Sequence, residues 1–491
     1  MRDRRNFQQP CFVLINVHFC ARPWRRTCLT SHDPVGLCVD SGLLPRRREQ
    51  CSCPFKCCCF SRYFFTRNKS TLVAFAVGKK YEPGNGFNLI GAHTDSPCLK
   101  LKPNSASKKS GFLTINAETY GGGLWCTWFD RDLSVAGRVL VREENGKLVH
   151  KLVKIERPIM RIPMLAIHLY RDIYREGFKP NNQTHLAPIL ATSVKAECEG
   201  RGQGQEGSSQ QHHAALLDIL AAELGRSDPA DIVDFELNVC DTQAGVIGGA
   251  AREFVFCGRL DNLSSTYCAA RALVDSTPNE DALSEELSIR GIALFDHEEV
   301  GSSSAVGAGG PVMRDAMTRV TRCLSDGHPD AVERCFKKSF LVSADMAHAL
   351  HPNYPEKHDG DHQPKFHKGL VIKTNVNQRY ATNLVSSALF REVGKRRGIL
   401  CQEFSVRNDS PCGSTIGPIL SSSLGCRTVD VGAPQLSMHS IREMCATDDI
   451  DLSYRHFVAF FELFSEVDGT LSVDEIPAEL PVIDDVPCNT L

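Results

Sequence analysis

Short apolar runs, each ending in polar residues, recur along this chain of 491 residues. The clearest runs lie at residues 70–77, 87–91, 291–295, 340–342 and 428–432. Runs of this length, bounded by glycine, proline or polar residues, predict buried strands. From Phe235 onward the strand-like runs alternate with helix-like segments, which predicts an α/β layered fold.

A region of different texture interrupts this alternation between about Leu101 and Asn238. It is rich in strands and turns, with predicted strands at 113–117, 137–141 and 148–155. We therefore expect a separate inserted domain at residues 102–238. The catalytic domain would be formed by residues 61–101 and 239–491.

The first 60 residues show neither a period of 2 nor one of 3.6, and they hold nine of the 22 cysteines. We expect a poorly ordered head rich in cysteine and arginine. A disulfide-rich or metal-binding module is an alternative that the absence of Cys-x-x-Cys spacing disfavours, and a transit peptide is another. The other cysteines are scattered singly, as buried thiols of a cytoplasmic protein would be.

The composition and net charge limit the classes of binding partner that we expect. The apolar fraction of 42% and charged fraction of 23% are typical of a globular protein, and the net charge is −2. This balance gives no reason to expect nucleic acid or an anionic membrane as a partner. The chain also lacks an apolar run of about 18 residues, so we expect no membrane span.

Potential metal ligands follow several of the predicted strands. They are His93, Glu299, Asp345 and His439, with Asp261 placed before a helical segment instead. Because ligands of open α/β sheets collect at the carboxyl ends of strands, these side chains are expected to meet. Imidazole with carboxylate suits zinc, manganese or cobalt better than calcium.

Two carboxylates next to these potential ligands, Glu298 and Asp95, suggest a role in catalysis. Glu298 and Glu299 are adjacent, so one can bind metal while the other moves protons. His93 and Asp95 project to one face of an extended strand, which lets Asp95 orient the ring of His93. Taken singly, each residue has an ordinary explanation, such as a helix cap at Asp261 or a solvated pair at Glu298 and Glu299.

The same residues lie in long, ordered motifs that resemble the aspartyl aminopeptidase family of zinc metallopeptidases. The resemblance runs from Tyr63 to the end of the chain. The matching stretches are residues 91–97, 258–262, 295–302, 343–349 and 434–443.

This resemblance implies a zinc-exopeptidase-like three-layer catalytic domain with an inserted β-rich dimerisation domain. It also implies two zinc ions per subunit, for which manganese or cobalt could substitute, and self-association into a large homo-oligomer, a tetrahedral dodecamer in the family. By position, Asp261 would bridge the two ions. His93 and Asp345 would complete one site, and Glu299 and His439 the other. Glu298 would be the general base, assisted by Asp95, for a water that the zinc ions activate.

The family also implies peptide substrates with an acidic amino-terminal residue, Asp or Glu. Lys373 matches the position expected to face the substrate carboxylate, and His348, His351 and Tyr380 are candidates for the same pocket. His168, in the inserted region, would reach a neighbouring subunit's site. From the residues alone, Lys373 would be a solvated strand lysine and His168 a satisfied core residue.

Two alternatives stay open. The same pair of metals could serve a neutral aminopeptidase, a deacylase or a carboxypeptidase. The chain could instead be a catalytically impaired assembly or binding protein, because the head replaces the helix-forming segment that begins the family's catalytic domain.

Overall fold

The computed structural model describes residues 25–26, 62–198 and 211–471. The first strands are β1 Arg25–Arg26, β2 Arg62–Arg67, β3 Thr71–Val77 and β4 Phe87–His93. The next segment contains β5 Cys98–Lys109, β6 Phe112–Tyr120, β7 Leu133–Arg142, β8 Leu148–Lys154, α1 Ile173–Glu176, β9 Ile189–Thr192, α2 Ser193–Cys198, α3 Ala214–Glu223 and β10 Ile232–Asp241.

The rest of the described chain alternates between strands and helices. It contains β11 Val246–Gly248, β12 Phe254–Cys257, α4 Leu260–Asp275, β13 Ile289–Phe295, α5 Val312–Leu324, α6 Ala331–Lys338, β14 Phe340–Ala344 and β15 Ala347–His348. It continues with β16 Val371–Lys373, α7 Leu384–Arg396, β17 Gln402–Phe404, α8 Ile416–Leu424, β18 Arg427–Gly432, β19 Pro434–Leu436, β20 Glu443–Ala446 and α9 Thr447–Asp468.

The largest sheet of the described residues has nine strands in the order β1-β2-β3-β13-β4-β14-β18-β16-β17. Its centre is parallel: β4 pairs with β13 on one side and with β14 on the other, and β14 pairs with β18. Phe295 lies opposite His93, and Ala344 lies opposite Val431. The residues that follow β13, β4 and β14 therefore emerge together at one edge of the sheet.

Helices cover both faces of this sheet, because successive strand residues point to opposite sides. Ile90 and Ala92 of β4 belong to a core formed with α4, α7 and α9, whereas Phe87 and Leu89 belong to a core formed with α5, α6 and α8. The catalytic region thus has the three layers predicted for a zinc-exopeptidase-like α/β fold.

A second, six-stranded sheet has the order β8-β7-β10-β5-β6-β9 and pairs antiparallel throughout. It has a separate hydrophobic core, to which α3 contributes Leu216 and Leu220. These strands lie between Cys98 and Asp241, and the division into an inserted domain at 102–238 stays a prediction. Its role in dimerisation stays a prediction.

A third sheet, of five strands in the order β11-β12-β20-β19-β15, was not predicted. The run at 428–432 is β18, but His439 does not follow it directly as expected, because β19 intervenes and pairs in this other sheet. The chain leaves the nine-stranded sheet for the five-stranded sheet at Gly432, where an added Cβ would lie 1.7 Å from the carbonyl oxygen of Asp345. Only glycine allows this close approach of the two chain segments.

Several expectations fall outside the described residues or differ from them. The poorly ordered head lies outside the described residues except for Arg25–Arg26. Cys268 and Cys335 are buried as predicted, whereas Cys126 and Cys323 are exposed. Within the described ranges, none of the helices combines the length and apolar character needed to cross a bilayer.

Candidate metal centre

The structure brings the five predicted ligands together at the edge where β4, β13 and β14 end. Their ligand atoms form two groups within 4.8 Å, one of His93, Asp261 and Asp345 and the other of Asp261, Glu299 and His439. Asp261 belongs to both groups. The arrangement has the form of two adjoining sites joined by one carboxylate.

Distances around Asp261 show how it joins the groups. Its Oδ1 lies 3.3 Å from Nε2 of His93, and its Oδ2 lies 3.3 Å from Nε2 of His439. Asp345 Oδ1 lies 3.4 Å from Nε2 of His93, and Glu299 Oε2 lies 3.4 Å from Nε2 of His439. Each oxygen of Asp261 therefore faces a different histidine.

Both histidines are oriented through their other ring nitrogen. Nδ1 of His93 lies 3.1 Å from the carbonyl oxygen and 3.4 Å from Oδ1 of Asp95. Nδ1 of His439 lies 3.0 Å from the carbonyl oxygen of Gly122, in the loop after β6. A proton on each Nδ1 satisfies these contacts and leaves each Nε2 lone pair directed at the carboxylates, the tautomer that binds metal.

Asp95 also fixes the turn that carries the paired glutamates. It accepts hydrogen bonds from the backbone N–H groups of Glu298, at 3.1 Å, and Glu299, at 3.1 Å, and from the hydroxyl of Tyr120 at 2.6 Å. Burial would raise the pKa of Asp95, but the contacts with His93 and Tyr120 lower it overall. The ionised form of Asp95 is thus the one that holds the site together.

The centre carries an excess of negative charge. Burial and the neighbouring carboxylates raise the pKa of Glu298 to about 7, and burial with Asp261 raises that of Glu299 to about 9. Burial opposes the charge on His439, but Asp261 and Glu299 raise its pKa to about 9. The pKa of His93 is likewise well above its usual value because its carboxylate neighbours outweigh burial. The cluster attracts positive charge, as divalent cations would supply.

Unpaired buried atoms test whether the residues fit metal ions. Asp261 Oδ1, Glu299 Oε1 and Asp345 Oδ1 have no hydrogen-bond partner among the described residues. Buried carboxylate oxygens without donors are costly, and a divalent cation would give them a positively charged partner. This set of nitrogen and oxygen donors fits zinc.

Glu298 differs from its neighbour Glu299 in exposure. The Glu298 side chain is 15% exposed and that of Glu299 only 4%. Oε2 of Glu298 lies 3.8 Å from Nε2 of His93. Glu299 is therefore the more enclosed of the two, whereas Glu298 is more exposed and forms a third group with His93 and Glu299.

Lys373, at the end of β16, is buried, so its interpretation as a solvated lysine is wrong. Its Nζ lies 3.5 Å from Oδ2 of Asp345, donates to the carbonyl oxygen of Met346 at 3.1 Å and lies 5.2 Å from the ring centre of Tyr380. An ammonium has three donors, and these contacts use two of them. One donor beside the centre is left for another acceptor.

His348 and His351 line a cavity of about 290 Å³ next to the residues that precede His439. His348 lies on β15 and contacts the ring of Phe404, with ring centres 5.8 Å apart. Tyr380 is buried beneath Lys373 and does not line this cavity. The structure thus divides the predicted pocket into a buried Lys373–Tyr380 pair and a histidine-lined cavity.

His168 lies apart from the other predicted residues. It is exposed in a turn of the inserted region, so its interpretation as a core histidine is wrong. Its neighbours Leu165, Ile167 and Leu169 are also exposed, at 55%, 44% and 76%. An apolar run does not ensure burial in a single subunit.

Three residues of the site were missed by sequence reasoning. Tyr120 and Gly122 come from the inserted region and contact Asp95 and His439. Glu443 accepts hydrogen bonds from the backbone of Asp261 and His439. The run of three glycines after Tyr120 was a possible signal for a close approach, but Glu443 had no signal beyond its place in a family motif.

Comparison with known families matches residues 56–461 to the family described as Aminopeptidase I zinc metalloprotease (M18). The "Probable aspartyl aminopeptidase" of Ricinus communis is 57% identical over 434 residues, covering 84% of this chain and 88% of the relative. The aspartyl aminopeptidase of Dictyostelium discoideum is 48% identical over 428 residues, covering 83% of this chain and 88% of that protein.

Solved structures agree with these matches. The "Cryo-EM structure of the Ape4 and Nbr1 complex" aligns with a TM-score of 0.81 at 45% identity, covering 84% of this chain and 78% of that one. The mApe1 dodecamer of S. cerevisiae aligns with a TM-score of 0.72 at 29% identity, covering 84% of this chain and 87% of that one.

Proposed function

Because the chain belongs to the Aminopeptidase I zinc metalloprotease (M18) family, we propose that it is a zinc-dependent aminopeptidase that releases amino-terminal Asp or Glu from peptides. The observation that carries the proposal is the convergence of His93, Asp261, Glu299, Asp345 and His439 in two groups that share Asp261. The names of the relatives from Ricinus communis and Dictyostelium discoideum support the acidic specificity.

The proposed centre holds two zinc ions. His93 and Asp345 would hold one ion, Glu299 and His439 would hold the other, and Asp261 would be a ligand of both. When bound, zinc supplies Lewis-acid activation of a water molecule and of the scissile carbonyl. The unpaired carboxylate oxygens of the cluster support this assignment.

Glu298 is the proposed general base. Its carboxylate lies beside His93 but outside the two groups that share Asp261, and it is more exposed than that of Glu299. It accepts the proton of the attacking water and returns it to the leaving amine. Asp95 does not need to touch the substrate, because it holds Glu298 and Glu299 through their backbone N–H groups.

Lys373 is proposed to bind the acidic side chain of the substrate with its remaining donor. Tyr380 packs against the ammonium and fixes its position. His348 and His351 add imidazole donors from the adjoining cavity. His168 is proposed to act on a neighbouring subunit's site, for which its exposed position is suitable.

We further propose that the protein is a homo-oligomer in the cytoplasm, with residues 102–238 as a dimerisation domain and twelve subunits in a tetrahedral arrangement. The dodecameric mApe1 structure supports the assembly. Buried thiols such as Cys268 and Cys335 suit a reducing compartment.

The specificity is tested by replacing Lys373 with methionine, which keeps the length but removes the charge. Since Lys373 also contacts Asp345, some loss is expected on every substrate. We expect kcat/KM for an Asp-peptide to fall about 100-fold, and at least about tenfold more than for an Ala-peptide, because one partner of a buried charge pair is lost.

The exposed Lys368, five residues earlier, provides a matched control. Lys368→Met should leave both substrates unchanged. Equal losses on Asp- and Ala-peptides in Lys373→Met would contradict the assigned specificity, and measurable cleavage of an N-acyl substrate alone would favour a deacylase.

A further inference from the structure

A buried carboxylate, Glu443, links two of the proposed ligands without facing the metal positions itself. It is the first residue of β20 and only 2% exposed. Its Oε2 accepts the backbone N–H of Asp261 at 3.0 Å, and its Oε1 accepts the backbone N–H of His439 at 2.8 Å. One side chain therefore connects residues far apart in the sequence.

Both N–H groups need such an acceptor. Asp261 is buried near the start of α4 but has non-helical backbone angles, so its N–H stands outside the regular hydrogen-bond ladder of the helix. His439 has a φ of 65°, in the left-handed region that non-glycine residues rarely adopt. A backbone in this conformation persists only where its surroundings hold it.

A second buried carboxylate in the cluster makes a similar pair of contacts. Asp95 accepts the backbone N–H groups of Glu298 and Glu299, as described above. Asp95 and Glu443 thus each span two backbone N–H groups, and each holds at least one residue of the group formed by Asp261, Glu299 and His439. Because Asp95 also touches His93, its replacement would disturb several contacts at once, whereas Glu443 offers a cleaner test.

We propose that Glu443 is a positioning residue that sets the spacing between Asp261 and His439, and thereby the affinity of the metal position formed by Asp261, Glu299 and His439. This inference rests on the proposed zinc centre. It predicts an asymmetric effect: the position built on His93 and Asp345 should be less sensitive to Glu443.

The test is Glu443→Gln, which keeps the size of the side chain. The oxygen of the amide can accept a hydrogen bond from one backbone N–H, but its NH2 group is a donor and cannot accept one from the other backbone N–H. We expect zinc affinity at one of two positions to fall about 10–100-fold, so that a chelator removes one zinc ion readily and the second, which shares Asp261 but not His439, more slowly. kcat should fall with little change in KM, and added zinc should restore it.

Asp449, in the first turn of α9, is a matched control whose carboxylate holds a different segment of the chain. It is fully buried and likewise accepts two backbone N–H groups, from His367 and Gly369, each at 2.8 Å. Asp449→Asn should alter thermal stability but neither zinc release nor the response of kcat to added zinc. Glu443→Asp is a second variant that keeps the charge but shortens the reach, and it should lose zinc in the same asymmetric way.

Three results would overturn the inference: zinc release from Glu443→Gln at the wild-type rate, zinc release no faster than from Asp449→Asn, or joint loss of zinc and circular dichroism in both Glu443 variants. The last result would mean a general structural role. Failure of the proposed zinc centre is distinguishable, since the wild-type protein itself would then bind no zinc, and failure of the proposed specificity would appear in the substrate comparison with Lys373→Met.

Discussion

At the scale of single residues, the neighbours Glu298 and Glu299 show how position alone separates two identical side chains. Glu299 is enclosed with Asp261 and His439, whereas Glu298 is more exposed and stands outside both ligand groups that share Asp261. We therefore expect that replacing each carboxylate with a neutral amide changes activity and zinc content in a different way.

Replacing Glu298 with glutamine should reduce kcat about 10³-fold, because the amide cannot accept the proton of the attacking water. The zinc content should stay at the wild-type value. Enzyme assays with metal analysis of the same samples measure both quantities.

Glu299→Gln is the matched control, since it should lose zinc as well as activity. If Glu298→Gln kept more than about a tenth of the wild-type kcat, its role as general base would be refuted. If it lost zinc as Glu299→Gln does, it would be a ligand instead.

At the scale of elements, the packing of α9 on α7 depends on an uncharged histidine. His456 in α9 is fully buried, its ring stacks on Phe390 with ring centres 4.0 Å apart, and its Nε2 lies 3.1 Å from the carbonyl oxygen of Phe390. Gly394 permits this contact, because an added Cβ would lie 2.6 Å from the His456 ring. Burial lowers the pKa of His456 to about 4 from 6.5.

This lowered pKa makes the contribution of His456 to stability dependent on pH. Between pH 6.5 and about 4 the unfolded chain takes up a proton that the folded chain does not, so the contribution is complete above pH 6.5 and is lost as the pH falls. His456→Gln can still donate to Phe390 but does not titrate. We expect the free-energy deficit of the variant at pH 7.5 to shrink by about 2–3 kcal/mol at pH 4.5.

Urea unfolding of the metal-free proteins at both pH values measures this difference. The metal ligands titrate equally in both proteins, so their effect cancels in the comparison. A deficit that did not change with pH would show that His456 is not held neutral in the folded state.

At the scale of the whole molecule, the inserted region has an exposed apolar segment that a single subunit leaves uncovered. Leu165, Ile167, Leu169 and Tyr174 are 55%, 44%, 76% and 88% exposed. Neighbouring exposed apolar side chains are typical of protein interfaces. The segment also contains His168, which the proposed assembly would bring to another subunit.

Leu169→Asp should weaken the assembly, because it places a charge in an apolar contact. We expect the mass from light scattering to fall from that of a large oligomer toward that of small species built from 54.2 kDa chains. Activity should fall with it if His168 completes a neighbouring site.

Leu400 is a matched control, since it is 75% exposed but lies in the catalytic region after α7. Leu400→Asp should leave the mass unchanged. An unchanged mass in Leu169→Asp as well would remove this segment from the interface.

The sequence by itself determined the central strands and the layered α/β class, and it indicated the candidate ligand residues that the structure brings together. Apolar runs such as those of β13 and β14 are local signals of burial, and the residues that directly follow them lie at the edge of the sheet. His93, Glu299, Asp345 and His439 were chosen for this reason and Asp261 for its place before a helical segment, and the family motifs contain all five in order. Chemical type and strand end are local properties, which a sequence records directly.

Only the tertiary structure decided how the ligands are held and which neighbours they have. Hydrogen bonds from Asp261 and His439 to Glu443, from Tyr120 to Asp95 and from His439 to Gly122 join segments up to 317 residues apart. Nearly every residue has a backbone N–H group and a carbonyl oxygen, so no pattern of side chains predicts which of them make these contacts. The burial of Lys373 and the exposure of His168 were likewise settled by packing, because a lysine on a short strand and a histidine in an apolar run can each lie inside or outside a fold.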